Sequence, residues 1–223
     1  MAGEALKITT RSGNVRVEAT AGRELSVDGG FVERDEDGTL RIRRSKPSTS
    51  IEVHCDTGTD VTIGTASGKV ETVGALGSVR VATASGRIRI EEAARVDVRT
   101  KSGKIEIGTC ADECRIMTKS ATVRVGEAAR ATVAGVSATV VLEHVGGAEI
   151  KTVSGKVVVG SPGGERISVH TVSGKVEIRV PPASRPATRL RSMSGRIECD
   201  LTPGDEFEIA VVSMSGAIKV STA

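Results

Sequence analysis

Residues 96–107 read VDVRTKSGKIEI, and this stretch is the clearest copy of a unit that recurs along the chain. Before Ser102, apolar residues or threonine alternate with charged ones, which is the period-two pattern of a β-strand with one buried face. After Gly103 the apolar positions resume at Ile105 and Ile107. The pattern therefore predicts a bend at the Ser-Gly pair and a second strand whose apolar side chains point into the same interior.

Ser-Gly or Ser-Ala pairs of this kind recur along the whole chain. They begin at Ser12, Ser67, Ser85, Ser102, Ser120, Ser137, Ser154, Ser173, Ser194 and Ser215. From Ser67 onward their spacing is 17 to 21 residues, and a fixed period of this size is typical of a solenoid, in which one coil stacks on the next. The gap of 55 residues between Ser12 and Ser67 leaves room for two degenerate coils. We therefore predict an all-β fold, a β-solenoid of about twelve coils.

The repeat predicts a single domain over residues 1–223, with residues 1–60 irregular and residues 61–223 formed by the regular repeats. Inside the irregular part, residues 31–44 read FVERDEDGTLRIRR, two strand-like runs around Asp37-Gly38, a pair typical of a tight hairpin. Acidic residues precede the turn and basic residues follow it. We therefore expect opposite charges to face each other across this hairpin.

Composition narrows the class of protein. Aromatic residues make up 1% of the chain, too few for an ordinary globular core, whereas stacked valine and isoleucine suffice for a solenoid. The net charge of +3 is too small to indicate a nucleic-acid partner, and aromatic side chains for base stacking are lacking. The sequence has no apolar run of membrane-spanning length and no signal-peptide pattern, so we expect a cytoplasmic protein without membrane insertion.

The sequence offers no constellation of catalytic or metal-ligating side chains. Cys55, Cys114 and Cys199 fall on inward positions of the strands, where a small buried side chain is the usual role of cysteine. Cys110 and Cys114 have CxxxC spacing, but a zinc site needs two more ligands nearby. None of the three histidines can be paired with a serine and an acid. We expect no catalytic residue, no metal site and no cofactor, and therefore no enzyme activity.

The recurring unit T-x-S-G-[KR]-[IV]-x-[IV], as in residues 100–107 and 171–178, is similar to the repeat of a known family. It resembles the bacterial putative-adhesin domain, a β-strand-repeat family of unknown function. The resemblance covers about residues 6–220, and it is specific because the unit recurs so often. It implies a β-helix-like, right-handed fold and a binding role, and it transfers no catalytic residue to this chain.

Lysine or arginine follows the turn in many repeats and forms an outward row, the basic ladder. Its members are Lys69, Arg87, Lys104, Lys156, Lys175 and Arg196. Such a row could bind a polyanion. Glutamates such as Glu106 lie two positions further on and neutralise much of its charge, which favours a solvated ladder of opposite charges.

A second outward row lies between the inward threonine and the serine of each turn. Its C-terminal members are apolar and form the interaction stripe: Val136, Val153, Val172, Met193 and Met214. A contiguous apolar stripe on a surface is typical of a contact site. The other interpretation is that neighbouring loops shield these residues, because they lie close to a corner of the repeat.

The last repeat spans residues 211–220 and is followed by three residues, so the sequence predicts an uncovered coil at this end. Its inward positions form a candidate end-on contact: Val211, Ile218 and Val220. Open strand edges pair readily with other strands. We therefore expect a homo-oligomer through this coil, or a different protein that caps it.

Three functions remain open for this chain. The leading hypothesis is a non-enzymatic β-solenoid scaffold or self-assembling protein-interaction module. The alternative is an adhesin-like binding module for a cell-surface polymer or polyanion. A β-helix enzyme that acts on polysaccharides is the third, but the sequence lacks the outward cluster of Asp, Lys and Arg on neighbouring coils that an active groove requires.

Overall fold

The computed structural model describes residues 5–36, 38–44, 50–160 and 164–222, so Asp37 of the predicted hairpin turn lies outside the described residues. The described residues form strands, turns and irregular segments but no helix, and thirteen strands share a mixed sheet. The predicted all-β class is confirmed. The handedness of the repeat and its number of coils stay predictions.

The alternating pattern of residues 96–107 is reproduced in the burial of their side chains. Val98 and Ile105 are 0% and 1% exposed, and Thr100 on the same inward side is 8% exposed. Lys101 and Lys104 are exposed. The predicted assignment of these side chains to the inward or the outward face is therefore confirmed. The interior consists mainly of valine and isoleucine from successive repeats.

The chain divides into two compact units, Met1–Asp112 and Glu113–Ala223. The first contains β1 (Ala5–Thr10), β2 (Val15–Ala19), β3 (Ser26–Asp28), β4 (Gly30–Arg34), β5 (Leu40–Arg44) and β6 (Ile51–Cys55). The long β7 (Asp60–Ser137) begins in the first unit and ends in the second. The second contains β8 (Thr139–Gly160), β9 (Ile167–Val180), β10 (Ala187–Ser192), β11 (Ile197–Cys199), β12 (Glu208–Ser213) and β13 (Ile218–Thr222).

Gly103 shows why the corner of the repeat favours glycine. Its φ is 132°, and a β-carbon at this position would overlap the carbonyl oxygen of Gly86 in the preceding repeat. The same close approach continues from Gly86 to Gly68 and from Gly68 to Gly13. Successive backbones therefore meet at this corner, and a residue with the positive φ of Gly103 must be glycine to fit there. Ala121 and Ala138 occupy the equivalent place in two later repeats without a positive φ.

In the first unit, β1 and β2 each lie between two parallel neighbours. β1 pairs with β5 on one edge and with residues 60–65 of β7 on the other. β2 pairs in the same way with β6 and with residues 70–73 of β7. The sequence predicted two degenerate coils between Ser12 and Ser67, but only β5 and β6 form a parallel repeat among the described residues of this segment. β4 and β3 instead pair antiparallel with β5 and β6.

β4 and β5 form the hairpin that the sequence predicted within residues 31–44. Arg41 forms an ion pair with Asp35 at the end of the hairpin. Further along the same two strands, Arg43 Nε lies 3.6 Å from Glu33 Oε2. The expected opposition of charges across the hairpin is therefore confirmed.

In the second unit, successive strands stack in parallel with like residues side by side. Thr122 of β7 pairs with Thr139 of β8, and Thr152 of β8 pairs with Thr171 of β9. These offsets of 17 and 19 residues equal the spacings of the Ser-Gly and Ser-Ala pairs in the same part of the sequence. The sequence period and the stacking period are therefore the same.

The last repeat of the sequence does not lie at the end of the second unit. β12 pairs with β9 on one edge and with β10 on the other, and β13 lies between β9 and β11 in the same way. Val211, Ile218 and Val220 are consequently buried, at 0%, 1% and 0% exposed. The predicted end-on contact through these three residues is wrong, because strands on both sides already pair with their backbone and cover their side chains.

β10 and β11 occupy the end position instead. Among the described residues, β10 pairs only with β12 and β11 pairs only with β13. Cys199 of β11 is exposed, and the prediction that it is buried is wrong, because no further strand covers its inward position. Cys55 and Cys114, which have such neighbours within their units, are buried as expected.

Candidate interaction surface

In several repeats a hydrogen bond from the inward threonine fixes the turn, although the equivalent hydroxyls of Thr118 and Thr171 have no partner among the described residues. In the first unit the hydroxyl of Thr100 donates to the carbonyl oxygen of Ser102 over 2.9 Å, and in the second unit Thr152 donates to Ser154 over 2.9 Å. The bond satisfies a hydroxyl that burial would otherwise penalise. It also leaves the residue between donor and acceptor on the outside of the turn, and in the Thr152 repeat this residue is Val153.

Five outward apolar side chains of the second unit make up the interaction stripe. Their exposed fractions are 51% for Val136, 46% for Val153, 41% for Val172, 52% for Met214 and 81% for Met193. The interpretation in which nearby loops shield these residues is therefore wrong. The role of the stripe in binding stays a prediction.

Backbone hydrogen bonds give the order of residues within the stripe. The N–H of Ser215 donates to the carbonyl oxygen of Val172 over 2.9 Å, and the N–H of Ser194 donates to that of Met214 over 3.0 Å. Met214 therefore lies between Val172 and Met193, which reverses the order of the two methionines in the sequence. The stripe is continuous because the last repeat fills the position next to β9.

Ion pairs neutralise Lys69 and Lys104 of the basic ladder in the first unit. Lys69 Nζ lies 2.7 Å from Glu71 Oε2, and Lys104 Nζ lies 2.5 Å from Glu106 Oε1. Hydrogen bonds from these lysines lower the pKa of both glutamates below the ordinary value, and Arg87 lowers the pKa of Glu106 further by charge attraction. The row is thus a ladder of paired charges rather than a free cationic strip.

Lys156 and Arg196 of the ladder are paired in a similar way in the second unit. Glu177 accepts a hydrogen bond from the arginine two positions later, which lowers the pKa of its carboxyl, and attraction to Lys156 and Lys175 lowers it further. Lys156 Nζ lies 3.9 Å from Glu177 Oε2, and Arg196 Nη1 lies 3.7 Å from Glu198 Oε1. Exposed pairs of this kind contribute little to stability, about 0–1 kcal/mol each, but they reduce the attraction that the ladder offers to a polyanion.

A cavity that the sequence did not predict lies on the outward face of the second unit. Its volume is about 240 Å³, and its lining consists of Arg166, Ser168, His170, Arg189, Arg191, Glu208, Ala210 and Val212. Glu208 forms ion pairs with Arg166 and Arg189, at 3.5 and 3.6 Å. Three arginines against one carboxylate leave the cavity positively charged. Its residues come from separate parts of the sequence and meet only because β12 lies between β9 and β10.

The described residues form neither a metal-binding cluster nor a membrane-spanning helix. No three His, Cys, Asp or Glu side chains in the described ranges lie close enough together to hold a metal ion. Those ranges likewise contain no helix long and apolar enough to cross a membrane. The expected lack of cofactors and catalytic residues stays a prediction.

Two solved bacterial structures are similar to this chain in fold. A putative adhesin from Parabacteroides distasonis superposes with a TM-score of 0.60 at 12% identity, over 100% of this chain and 94% of that one. A putative adhesin from Bacteroides fragilis superposes with a TM-score of 0.50 at 11% identity, over 99% of this chain and 92% of that one. Identities this low show the fold alone. The chain has no match among curated protein sequences.

The family assignment rests on nearly the whole sequence. Residues 1–221 match the family described as Toastrack DUF4097. This match and the two similar structures confirm the resemblance to a bacterial β-strand-repeat family of unknown function that the Thr-x-Ser-Gly unit indicated. The chain belongs to the Toastrack DUF4097 family.

Proposed function

We propose that this chain is a non-enzymatic β-solenoid scaffold that binds a protein partner through the interaction stripe. The observation that carries the proposal is the continuous run of five exposed apolar side chains on neighbouring repeats. Removing such surface from water favours association by about 25 cal/mol per Å² of apolar area, and the entropy cost of association is subtracted from this gain. Contiguous apolar surface on a soluble protein commonly marks a site of protein contact.

The stripe combines a stiff part with an adaptable part. Val136, Val153 and Val172 are β-branched, so their side chains lose little conformational freedom when a partner covers them. Met214 and Met193 extend the stripe with flexible thioether side chains that can fit irregular shapes. The backbone beneath is already fixed by strand pairing, so binding orders little additional chain. This arrangement suits an apolar segment of a partner protein that lies across several repeats.

The test places a photo-crosslinking amino acid at Val136, both in the wild-type background and in a Val153→Lys, Val172→Lys double variant. In cells of the organism that encodes the chain, we expect protein adducts from the wild type and a loss of about tenfold or more in the double variant, because each lysine would bring a charge into the contact. Mass spectrometry identifies the adducts, and far-UV circular dichroism checks that the strands are retained.

Met117→Lys is the matched control for the stripe variants. Met117 is 47% exposed in the same unit but does not belong to the stripe, so this variant carries a similar apolar-to-lysine change at a similar exposure. Its adducts should equal those of the wild type. Equal adduct yields from the double variant and this control would contradict the proposal.

A second candidate function is a binding module for an anionic polymer at the cell surface. The arginine-lined cavity supports it, because Arg166, Arg189 and Arg191 outnumber the single carboxylate of Glu208. Arginine binds carboxylate and phosphate groups through paired hydrogen bonds. The two similar structures are described as putative adhesins, which is in keeping with this function. It requires the chain to be at the cell surface, whereas the scaffold proposal has no such requirement.

Heparin and polyphosphate are suitable probes for the polymer function. Arg189→Glu together with Arg191→Glu should abolish their binding, and added salt should weaken binding to the wild type by screening. Lys156→Glu changes the charge of the paired ladder instead and should have a smaller effect. Cell fractionation adds a separate criterion, since recovery of the chain only in the cytoplasm would contradict the polymer function.

A further inference from the structure

The end of the second unit is an open sheet edge. Among the described residues, β10 and β11 each pair on one side only, so the N–H and C=O groups on their outer side have no strand partner. Ile197 and Cys199 occupy inward positions but are exposed, Ile197 at 41%. Ile218 and Val220, their register partners one strand further in, are 1% and 0% exposed. The end therefore has the side chains and backbone of an interior repeat without the next strand.

In the first unit, two antiparallel strands of the chain itself cover the outer edge of β5 and β6. Antiparallel β4 and β3 pair there with β5 and β6. Leu40 and Ile51, the inward residues at the start of β5 and β6, are 6% and 0% exposed. In the second unit no described strand pairs with the outer edge of β10 or β11. Natural proteins rarely leave such an edge uncovered, so the difference points to a partner at this end.

Charge decides which partner fits the open edge. β10 carries Arg189 and Arg191 on its outward side and has no acidic residue, and the one carboxylate that pairs with Arg189, Glu208 of β12, leaves the two arginines in excess. β11 carries Glu198 and is followed by Asp200, and the nearest cation, Arg196, is already paired with Glu198. One strand of the edge is therefore basic and the other has more acid than base. Such an edge is complementary to a second copy of itself.

We propose that two copies of this chain associate end to end, with β10 of each copy paired with β11 of the other. A two-fold axis makes this contact twice, which closes the dimer and leaves neither strand with an open edge. Pairing β10 with β10 would instead bring Arg189 and Arg191 against the same residues of the other copy, a like-charge contact that opposes association. The proposal adds a second surface to the scaffold function and does not depend on the stripe.

Sedimentation of the reduced chain over a wide range of concentrations tests the proposal. The wild type should dimerise, whereas Ile197→Lys should remain monomeric, because a lysine that is tolerated at the open edge would be buried in the dimer. Val172→Lys is the matched control, since Val172 is also 41% exposed but lies on the stripe. A wild type that is monomeric throughout overturns the proposal. So does loss of the dimer in Val172→Lys with normal association of Ile197→Lys, which would assign self-association to the stripe.

Charge exchange tests the crossed arrangement of the strands and stays decisive if Ile197→Lys does not fold. One variant carries Arg189→Glu and Arg191→Glu, so that β10 becomes acidic; the other carries Glu198→Arg and Asp200→Arg, so that β11 becomes basic. Each variant alone should associate about tenfold more weakly than the wild type or worse. A mixture of the two should recover, because every acidic strand then meets a basic one. No recovery on mixing overturns the proposed pairing of β10 with β11.

The thiol of Cys199 reports on the same edge independently of any substitution. It is the exposed cysteine of the four, so its rate of alkylation should fall as the wild-type concentration rises. In Ile197→Lys the rate should not depend on concentration. A concentration-independent rate in the wild type would overturn the proposal even if the chain sedimented as a dimer, because the dimer would then use another surface.

Discussion

The backbone N–H of Ser194 donates a hydrogen bond to the carbonyl oxygen of Met214 over 3.0 Å, although Met214 lies 20 residues later in the sequence. The last repeat therefore lies between β9 and the repeat formed by β10 and β11, which precedes it in the sequence. β10 and β11 follow β9 in the sequence but do not pair with it, because they lie one strand further out, at the end of the unit. β12 and β13 occupy the positions between them and β9. Within the described residues, β10 and β11 therefore have no strand neighbour until the last repeat is in place.

Ile218→Asp should release β10 and β11 as well as β12 and β13. Ile218 is 1% exposed, and a buried unpaired carboxylate costs several kcal/mol, which is enough to displace the last repeat. Hydrogen exchange measured by mass spectrometry should then show loss of protection in residues 187–199. Lys219→Asp, at an exposed position of the same strand, should leave protection unchanged. Retained protection of residues 187–199 in Ile218→Asp would contradict the observed strand order.

Cys199 should be the first thiol of the native chain to react with a thiol reagent at low protein concentration. It is exposed at the end of the unit, whereas Cys55, Cys110 and Cys114 are buried. Burial also raises the pKa of Cys55, which lowers the fraction of reactive thiolate at this position. Peptide mapping after a short pulse of reagent identifies the modified residue. Earlier labelling of Cys114 would show that the burial assigned to the repeats is wrong.

Gly103→Ala should destabilise the chain more than Gly22→Ala. Both glycines have positive φ, 132° and 70°, so both substitutions strain the backbone. A β-carbon at Gly103 would also overlap the carbonyl oxygen of Gly86, whereas nothing lies within 4 Å of one at Gly22. We expect a loss of about 1–2 kcal/mol for Gly22→Ala and a larger loss for Gly103→Ala. Urea unfolding measures both, and equal losses would mean that the repeats do not meet closely at this corner.

Ile105→Asp should destabilise the first unit severely, and Lys101→Asp should not. Ile105 is 1% exposed, so its replacement buries a charge with no partner and removes apolar contacts. Lys101 is exposed in the same repeat, and the same new side chain remains in water there. We expect a loss of about 4 kcal/mol or more for Ile105→Asp and under about 1 kcal/mol for Lys101→Asp. Thermal melts that coincide for the two variants would contradict the assignment of Ile105 to the inward face and of Lys101 to the outward face.

Acid should weaken the fold through Glu106. The hydrogen bond from Lys104 holds the pKa of this carboxyl below its ordinary value of 4.5 in the folded chain. A carboxyl with a lowered folded pKa contributes its stability fully above pH 4.5, and the contribution is lost as the pH falls through the folded value. Lys104→Gln returns the pKa towards its ordinary value, so its melting temperature should fall less steeply in acid than that of the wild type. Identical slopes below pH 4.5 would argue against the pair.

The alternation within each repeat was predictable because it depends only on neighbouring residues. In an extended strand successive side chains point to opposite faces, so a residue such as Val98 or Ile105 must face inward if its strand has an interior at all. The same local reasoning gave the hairpin of β4 and β5 and the outward orientation of Val153. For these features the sequence alone was sufficient.

The order of the repeats at the end of the second unit was decided by the tertiary structure. Val211 of β12 pairs with Val169 of β9 on one edge and with Leu190 of β10 on the other, and these partners present nearly the same apolar side chain. The sequence therefore determined which face of each strand is buried, whereas only the tertiary structure decided which repeat lies beside which. The physical reason is that repeats with interchangeable inward residues fit several neighbours equally well, so the alternation that fixes a strand's face carries no information about its position in the stack.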